Sequence, residues 1–165
     1  MNKIIIIGSP GAGKSVFSRK LREVTKIPLY HIDMLYHNWD GSHISREELE
    51  LKLKEIFKKD KWIIDGNYQR TLETRIKECD TVYLLDFPTE VCLQGARERV
   101  GKKRDDLPWL EKNLDEEFKK AIIDFPKEKL PKIYELLEKY KKNLNVIIFK
   151  SREETDEYID KLRRI

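Results

Sequence analysis

Eight residues near the start of the chain combine glycines, a lysine and a serine at fixed spacing. The stretch Gly8-Ser9-Pro10-Gly11-Ala12-Gly13-Lys14-Ser15 matches G-x-x-x-x-G-K-[ST] at every fixed position. Glycines let backbone N–H groups turn toward phosphate oxygens, while Lys14 can reach the β- and γ-phosphates and Ser15 can ligate Mg²⁺. We therefore expect all eight residues to form a P-loop that binds a nucleoside triphosphate, with Mg²⁺ as the metal cofactor.

The residues around the P-loop predict the strand and the helix that such a phosphate site needs. An apolar β-branched run from Ile4 to Ile7 precedes it, and Phe17, Leu21 and Val24 recur at helical spacing after it. The N-terminus of that helix adds positive partial charge beside the phosphates. The alternative is a glycine-rich turn that only joins a strand to a helix, and this context makes it the weaker interpretation.

Two carboxylates end other apolar runs. Asp65 follows Trp62-Ile63-Ile64, and Asp33 ends a run that begins at Leu29. Ligands of open α/β folds bind at the carboxyl ends of the strands. We therefore expect Asp65 to hold Mg²⁺ together with Ser15, and Asp33 to orient the hydroxyl group of an acceptor and take its proton. The alternatives are an Asp-Gly turn at Asp65 and a solvated strand end at Asp33.

The segment after Asp65 carries groups that suit an anionic acceptor. A carboxamide and two guanidinium groups are predicted to line the acceptor site, namely Asn67, Arg70 and Arg75. His31 shares strand parity with Asp33 and is predicted to line the same pocket. The spacing of His31, His37 and His43 matches no common metal motif, so a zinc site is the weaker alternative.

A second group of basic residues surrounds a glycine after the fourth predicted strand. Its members are Arg97, Arg99, Lys102 and Arg104. Arginines on a mobile loop can close over ATP and spread the charge of the transition state. We assign this role to Arg99 and Arg104, which complete a catalytic set with Lys14 and Asp33, and we treat residues 97–109 as a lid. The alternative is a solvated basic turn.

Strand and helix patterns alternate along the whole chain. Five apolar runs predict strands, at Lys3–Ile7, Leu29–Asp33, Lys61–Asp65, Thr81–Asp86 and Asn145–Phe149. Helical spacing between them predicts crossover helices, one of which should begin at Pro108 and end at Pro126. Capping boxes are predicted at Ser45 and Ser151. The chain is therefore predicted to be a single α/β domain of residues 1–165, with a three-layer fold around a five-stranded parallel sheet.

Composition limits the classes of partner. The 34 basic residues nearly balance the 30 acidic ones, for a net charge of +4, so direct binding to nucleic acid is not expected. No apolar run approaches the roughly 18 residues that span a bilayer, and the N-terminal run is too short for a signal peptide. With two cysteines, both expected to be reduced thiols, we expect a cytoplasmic protein without membrane contacts. The oligomeric state has no sequence signal.

Four stretches resemble P-loop kinases of adenylate-kinase type, and within them the bacterial DNA topology modulation (FlaR-like) proteins. They are the P-loop with its strand, Tyr30–Asp33, Trp62–Thr71 and Arg99–Trp109. The resemblance implies strand order 2-3-1-4-5, ATP with Mg²⁺, and an arginine-bearing lid between strands four and five. It also implies that Asp65 is the acid of the Asp-Gly element of nucleotide kinases.

Two departures from adenylate kinases bear on the acceptor. Adenylate kinases carry Asp-Gly-Phe-Pro-Arg, whereas here the arginine is displaced to Arg70. The segment between strands two and three is shorter than their monophosphate-binding region, and it is similar to that of small-metabolite kinases.

The sequence favours a kinase that transfers the γ-phosphoryl group of ATP to a nucleotide or a small hydroxyl-bearing metabolite. One alternative is a nucleotide-binding regulator linked to DNA topology that phosphorylates no acceptor. A plain ATPase is a third possibility, but it needs a residue that positions water, and the sequence identifies none.

Overall fold

A five-stranded parallel sheet forms the centre of the structure, a computed structural model that describes residues 1–165. Its strands are β1 (Lys3–Gly8), β2 (Leu29–His31), β3 (Trp62–Asp65), β4 (Thr81–Leu85) and β5 (Asn145–Phe149). They lie in the order β2-β3-β1-β4-β5, and every neighbouring pair is parallel. The predicted fold class and strand order are confirmed.

Eight α-helices connect and cover the strands. They are α1 (Lys14–Thr25), α2 (Ile32–Tyr36), α3 (Arg46–Phe57), α4 (Gln69–Glu78), α5 (Thr89–Arg99), α6 (Glu116–Glu128), α7 (Leu130–Tyr140) and α8 (Arg152–Arg163). Ser45 and Ser151 cap α3 and α8 by accepting the backbone N–H of the glutamate three residues on, as predicted. No helix is both long enough and apolar enough to cross a membrane.

The central strand β1 is buried on both of its faces. Ile5 and Ile7 pack with α3, α4 and α7 on one side of the sheet, whereas Ile4 and Ile6 pack with α1, α5 and α8 on the other. All four side chains are fully buried. Burial on both faces explains why β1 is a continuous apolar run and not an alternating one. It also fixes the end of β1, and hence the P-loop, in the middle of the sheet.

The predicted second strand is too long. β2 ends at His31, and Ile32 begins the short helix α2, so Asp33 lies in the first turn of a helix. The only neighbour of β2 is β3, and their pairing stops where His31 meets Asp65. Because β3 ends at Asp65, residue 33 has no strand to pair with.

The prediction of a helix that begins at Pro108 is also wrong. Residues 100–115 form no regular helix, and α6 begins at Glu116, where the Asp115 carboxylate accepts the N–H of Glu117. Ion pairs and a backbone bond close the loop from Gly101 to Glu111, and these contacts override its apolar spacing. Pro126 does not end α6, which continues to Glu128 although the proline ring removes one backbone N–H donor from its last turn.

Candidate active site

A cleft of about 640 Å³ opens above the carboxyl ends of β1 and β3. Predicted site residues from distant parts of the chain line it together, namely Pro10, Gly11, Gly13, Lys14, Ser15, Asp33, Asp65, Asn67, Arg99 and Arg104. Gly8, Ser9 and Ala12 form the buried underside of the same loop. The topology therefore gathers most of the predicted site at one edge of the sheet.

The P-loop has the backbone shape of a phosphate cradle. Gly11 and Gly13 have φ angles of 80° and 94°, which side-chain-bearing residues rarely adopt. The Nζ atom of Lys14 donates to the carbonyl oxygens of Gly8 and Ser9, at 3.0 and 2.9 Å. Burial lowers the pKa of Lys14 to about 8, although the charge of Asp65 opposes that shift. A polyphosphate in the cradle would restore favourable charge around this ammonium group.

Helix α5 presses directly on the P-loop through a pair of glycines. A Cβ atom on Gly11 would lie 2.1 Å from the carbonyl oxygen of Cys92, and one on Gly95 would lie 2.2 Å from the carbonyl oxygen of Gly11. The sequence prediction missed Gly95. A glycine within a helix, where it costs stability relative to alanine, was the available signal.

Asn67 ties the end of β3 to the P-loop. Its Oδ1 atom accepts the N–H of Gly8 at 3.1 Å, and its Nδ2 atom donates to the carbonyl of Gly8 at 2.5 Å. This pair of bonds extends the β1–β3 pairing by one side chain. Asn67 therefore holds the cradle in place and also faces the cleft.

Neither arginine predicted to bind the acceptor lines the cleft. Arg70 lies exposed on α4. Arg75 is fully buried and donates to the backbone carbonyls of Gly66, Asn67 and Tyr68, at 2.8, 2.7 and 3.1 Å. It braces the loop that carries Asn67, and each of its three guanidinium nitrogens already donates within the protein, Nε to the Thr71 hydroxyl.

Asp65 is held from two sides beneath the P-loop. It accepts the hydroxyl of Ser18 at 2.8 Å, and both of its oxygens lie 2.9 Å from the Nδ1 atom of His31. Burial alone would lower the pKa of His31, but the hydrogen bond and the charge of Asp65 outweigh it and raise that pKa. His31 therefore forms an ion pair with Asp65. The prediction that it lines the acceptor pocket is wrong, since His31 is absent from the cleft lining.

Asp33 faces the cleft from α2. Its side chain is about half exposed, with 52% of its surface open, yet the cleft walls remove enough water to raise the pKa of its carboxyl group. The Nε2 atom of His37 lies 4.0 Å away and partly opposes that shift. The ring of Trp109 packs edge-on against His37 at 5.1 Å. Asp33 is thus a carboxylate that can face a ligand.

The segment after α5, which the sequence predicts to be a lid, lies over the P-loop, where Asp106 contacts Ser15. Arg104 donates to Asp106 through Nε and Nη2, at 2.9 and 2.5 Å, and to Glu111 through Nη1 at 2.6 Å. Arg99 is held more loosely, with Nη2 3.6 Å from Glu111 and its guanidinium over the ring of Phe118. The sequence prediction gave no role to Asp106 or Glu111, although a carboxylate two residues after Arg104 was a visible signal.

The fold and the cradle together define a P-loop nucleotide-binding protein. No protein-family model matches the sequence. A shikimate kinase of Clostridium botulinum is 32% identical over 134 residues, which cover 72% of this chain and 76% of that protein. Adenylate kinase of Thermotoga petrophila is 29% identical over 94 residues, which cover 55% of this chain and 42% of that protein. The chain belongs to the P-loop kinases that include these relatives.

Solved kinases share the fold. Shikimate kinase from Acinetobacter baumannii, in complex with shikimate, aligns over 98% of this chain and 90% of its own, with a TM-score of 0.63 and 18% identity. A gluconokinase from Sinorhizobium meliloti aligns over 99% and 92%, with a TM-score of 0.58 and 11% identity. The matched segment spans less than half the length of the Thermotoga adenylate kinase, whereas these small-metabolite kinases align over nearly their whole length.

Proposed function

We propose that this protein transfers the γ-phosphoryl group of ATP to a hydroxyl group of a nucleotide or small metabolite. One observation carries the proposal. Lys14 in the donor cradle and Asp33 on α2 face the same cleft, which Arg99 at the end of α5 and the lid loop that follows it also line. A phosphoryl donor site and a carboxylate that can receive a hydroxyl proton are the two halves that a kinase needs.

The residues of the donor half fit a magnesium nucleotide. The Ser15 hydroxyl offers a hard oxygen ligand of the kind that Mg²⁺ prefers, and the Asp65 carboxylate, already bonded to Ser18 and His31, would act on the metal through water. No cluster of three or more acidic, histidine or cysteine side chains could hold a metal alone. A metal held partly by phosphate oxygens is typical of Mg²⁺ sites in kinases. When bound, Mg²⁺ neutralises charge on the β- and γ-phosphates.

On the acceptor side, Asp33 would bind the reacting hydroxyl group and receive its proton. Its raised pKa makes it a better proton acceptor than a fully solvated aspartate. Arg99 is the better candidate for the phosphate-binding arginine, because every donor contact of Arg104 already goes to Asp106 or Glu111. Arg99 has only the long contact to Glu111, and its Nε is unpartnered.

Two other functions use the same cradle. A nucleotide-binding regulator linked to DNA topology would need no acceptor carboxylate such as Asp33. The relatives also argue against a regulator, because they are an adenylate kinase and a shikimate kinase. The resemblance to the topology modulation family stays a prediction. A plain ATPase would release ADP without any acceptor. Asp33 in the cleft favours the kinase over both.

The test is a coupled ADP-release assay with nucleoside monophosphates, nucleosides and small hydroxyl-bearing metabolites as acceptors. We expect release that depends on one acceptor class, and loss of that release in Lys14→Ala with the fold retained by circular dichroism. Lys54→Ala, an exposed lysine on α3, is the matched control. Near-normal turnover in Lys14→Ala would contradict the proposal.

Asp33→Asn separates the three functions. It should lower acceptor-dependent turnover by about 10²–10⁴-fold and leave ATP affinity nearly unchanged, because its role is confined to the acceptor hydroxyl. Asp60→Asn is the exposed control. Release that needs no acceptor points to an ATPase, and tight ATP binding without release points to a regulator.

A further inference from the structure

The hydroxyl group of the P-loop serine is paired with a carboxylate of the lid. The Oγ atom of Ser15 donates to Oδ2 of Asp106 at 2.5 Å, across 91 residues of sequence. Asp65, the carboxylate expected to accompany Ser15, is instead bonded to Ser18 and His31. Asp106 is only 5% exposed, so this contact is an internal one.

The position of Asp106 depends on the lid as a unit. Arg104 grips both oxygens of Asp106 and also binds Glu111. The N–H of Gly101 donates to the carbonyl of Glu111 at 2.6 Å, which closes the loop at its base. Because these bonds lie within residues 101–111, movement of the loop would carry Asp106 with it and separate it from Ser15.

A hydroxyl group that donates its proton to a carboxylate keeps its lone pairs for a cation. The carboxylate fixes the direction of the O–H bond and makes the oxygen a better ligand, as outer-shell partners do for metal ligands in general. Both oxygens of Asp106 accept from the Arg104 guanidinium, and Oδ2 also accepts from Ser15. In this arrangement the carboxylate is an acceptor, so the Ser15 proton points away from the cation site.

We propose that Asp106 is a positioning residue that couples metal binding to closure of the lid. With the lid closed, Asp106 holds the Ser15 hydroxyl so that its oxygen is available to the nucleotide-bound metal. With the lid open, Ser15 loses this partner and binds the metal more weakly. By linkage, the metal must favour the closed lid by the same factor. This inference rests on the proposed function only in requiring a metal–nucleotide complex in the P-loop.

The test measures ADP affinity by calorimetry, once with Mg²⁺ and once with EDTA. The ratio of the two affinities is the metal coupling, and it does not depend on catalysis. We expect Asp106→Asn to reduce this ratio by about tenfold, within the range known for outer-shell partners, and to leave the affinity in EDTA nearly unchanged. Asp105→Asn, its exposed neighbour, should keep the full ratio.

Two further measurements separate positioning from simple support of the fold. If Asp106 acts through Ser15, the losses in Ser15→Ala and Asp106→Asn should not add in the double variant. Mg²⁺-ADP should also slow hydrogen exchange in residues 101–111 of the wild type more than ADP with EDTA does, and Ser15→Ala should remove that difference. The exchange test stands even where Asp106→Asn fails to fold.

Equal losses of ADP affinity with Mg²⁺ and with EDTA would overturn the proposal, as would additive effects in the double variant. A different result would contradict the kinase proposal alone. A protein that shows full metal coupling but phosphorylates no acceptor would contradict the kinase and support the role of Asp106.

Discussion

The Nδ1 atom of His31 lies 2.9 Å from each carboxylate oxygen of Asp65, and the two side chains are only 10% and 6% exposed. This pair sits at the last register position that joins β2 to β3. It therefore links the edge strand to the floor of the nucleotide cleft by an ion pair that water reaches poorly.

The pair predicts a pH dependence of stability. Since the folded pKa of His31 is raised above its ordinary 6.5, its stabilisation is complete below pH 6.5 and disappears as pH rises through the folded pKa. We expect the urea midpoint of the wild type to fall as pH rises from 6.5 through the folded pKa. His31→Asn should flatten this slope, whereas the exposed His43→Asn should keep it. Parallel slopes for all three proteins would contradict the prediction.

Gly95 predicts a steric effect on the nucleotide site. In Gly95→Ala the new methyl group would lie 2.2 Å from the carbonyl oxygen of Gly11, so α5 and the P-loop must separate. We expect a loss of about 1–3 kcal/mol in the free energy of unfolding, together with weaker ATP binding, measured by urea titration and calorimetry. Gln94→Ala, at the exposed neighbouring position, should change neither quantity. Unchanged ATP affinity in Gly95→Ala would show that the contact does not shape the cradle.

Arg75 predicts a large effect on stability from a residue outside the cleft. Arg75→Met would leave the carbonyls of Gly66, Asn67 and Tyr68 without their donor in the protein interior. We expect a loss of about 2–4 kcal/mol in the free energy of unfolding, from unsatisfied polar groups. Arg70→Met on the same helix is exposed and should change stability by less than about 0.5 kcal/mol. Comparable losses in the two variants would refute this division of roles.

Substitution of Arg99 and of Arg104 should affect different properties, catalysis for Arg99 and the order of the lid loop for Arg104. Arg99→Ala should lower kcat by about 10²-fold or more, because an arginine that stabilises transferring phosphoryl charge contributes at least that much. Arg104→Ala should instead speed hydrogen exchange throughout residues 101–111, since it breaks the bonds to Asp106 and Glu111. Lys103→Ala is exposed and should do neither. Loss of lid protection in Arg99→Ala alone would reverse the assignment.

Local signals in the sequence were sufficient for most of the fold. Strands of a parallel sheet are short apolar runs rich in β-branched residues, so β1, β3, β4 and β5 were predictable to within about a residue or two at each end. The edge strand β2 was harder, because its length depends on where β3 ends. The prediction of a helix after Pro108 was wrong because the ion pair between Arg104 and Glu111 determines the conformation of this loop.

The candidate site divides in the same way. The P-loop is contiguous, so its residues could be predicted together. The strand-end rule predicted that Asp65 and Asp33 lie near it, and both line the same cleft, although Asp33 lies on α2 and not on a strand. The roles of Arg75 and Asp106 depend on contacts that no spacing encodes. Arg75 donates to backbone carbonyls in the protein interior. Asp106 contacts Ser15 across 91 residues of sequence, so the contact depends on the folded chain.

The two hydrogen bonds between the Asn67 side chain and the backbone of Gly8 bear on how this fold could acquire new substrates. One side chain fastens the P-loop to the loop after β3, and Arg75 stiffens that loop from below. In the proposed kinase, the distance from donor phosphate to acceptor would therefore be set within the sheet. The turn closed by His37 and His43 and the loop after α5 lie outside this tie and would be free to determine the acceptor. Selection for a different acceptor could rewrite those two loops and leave the distance that phosphoryl transfer demands untouched.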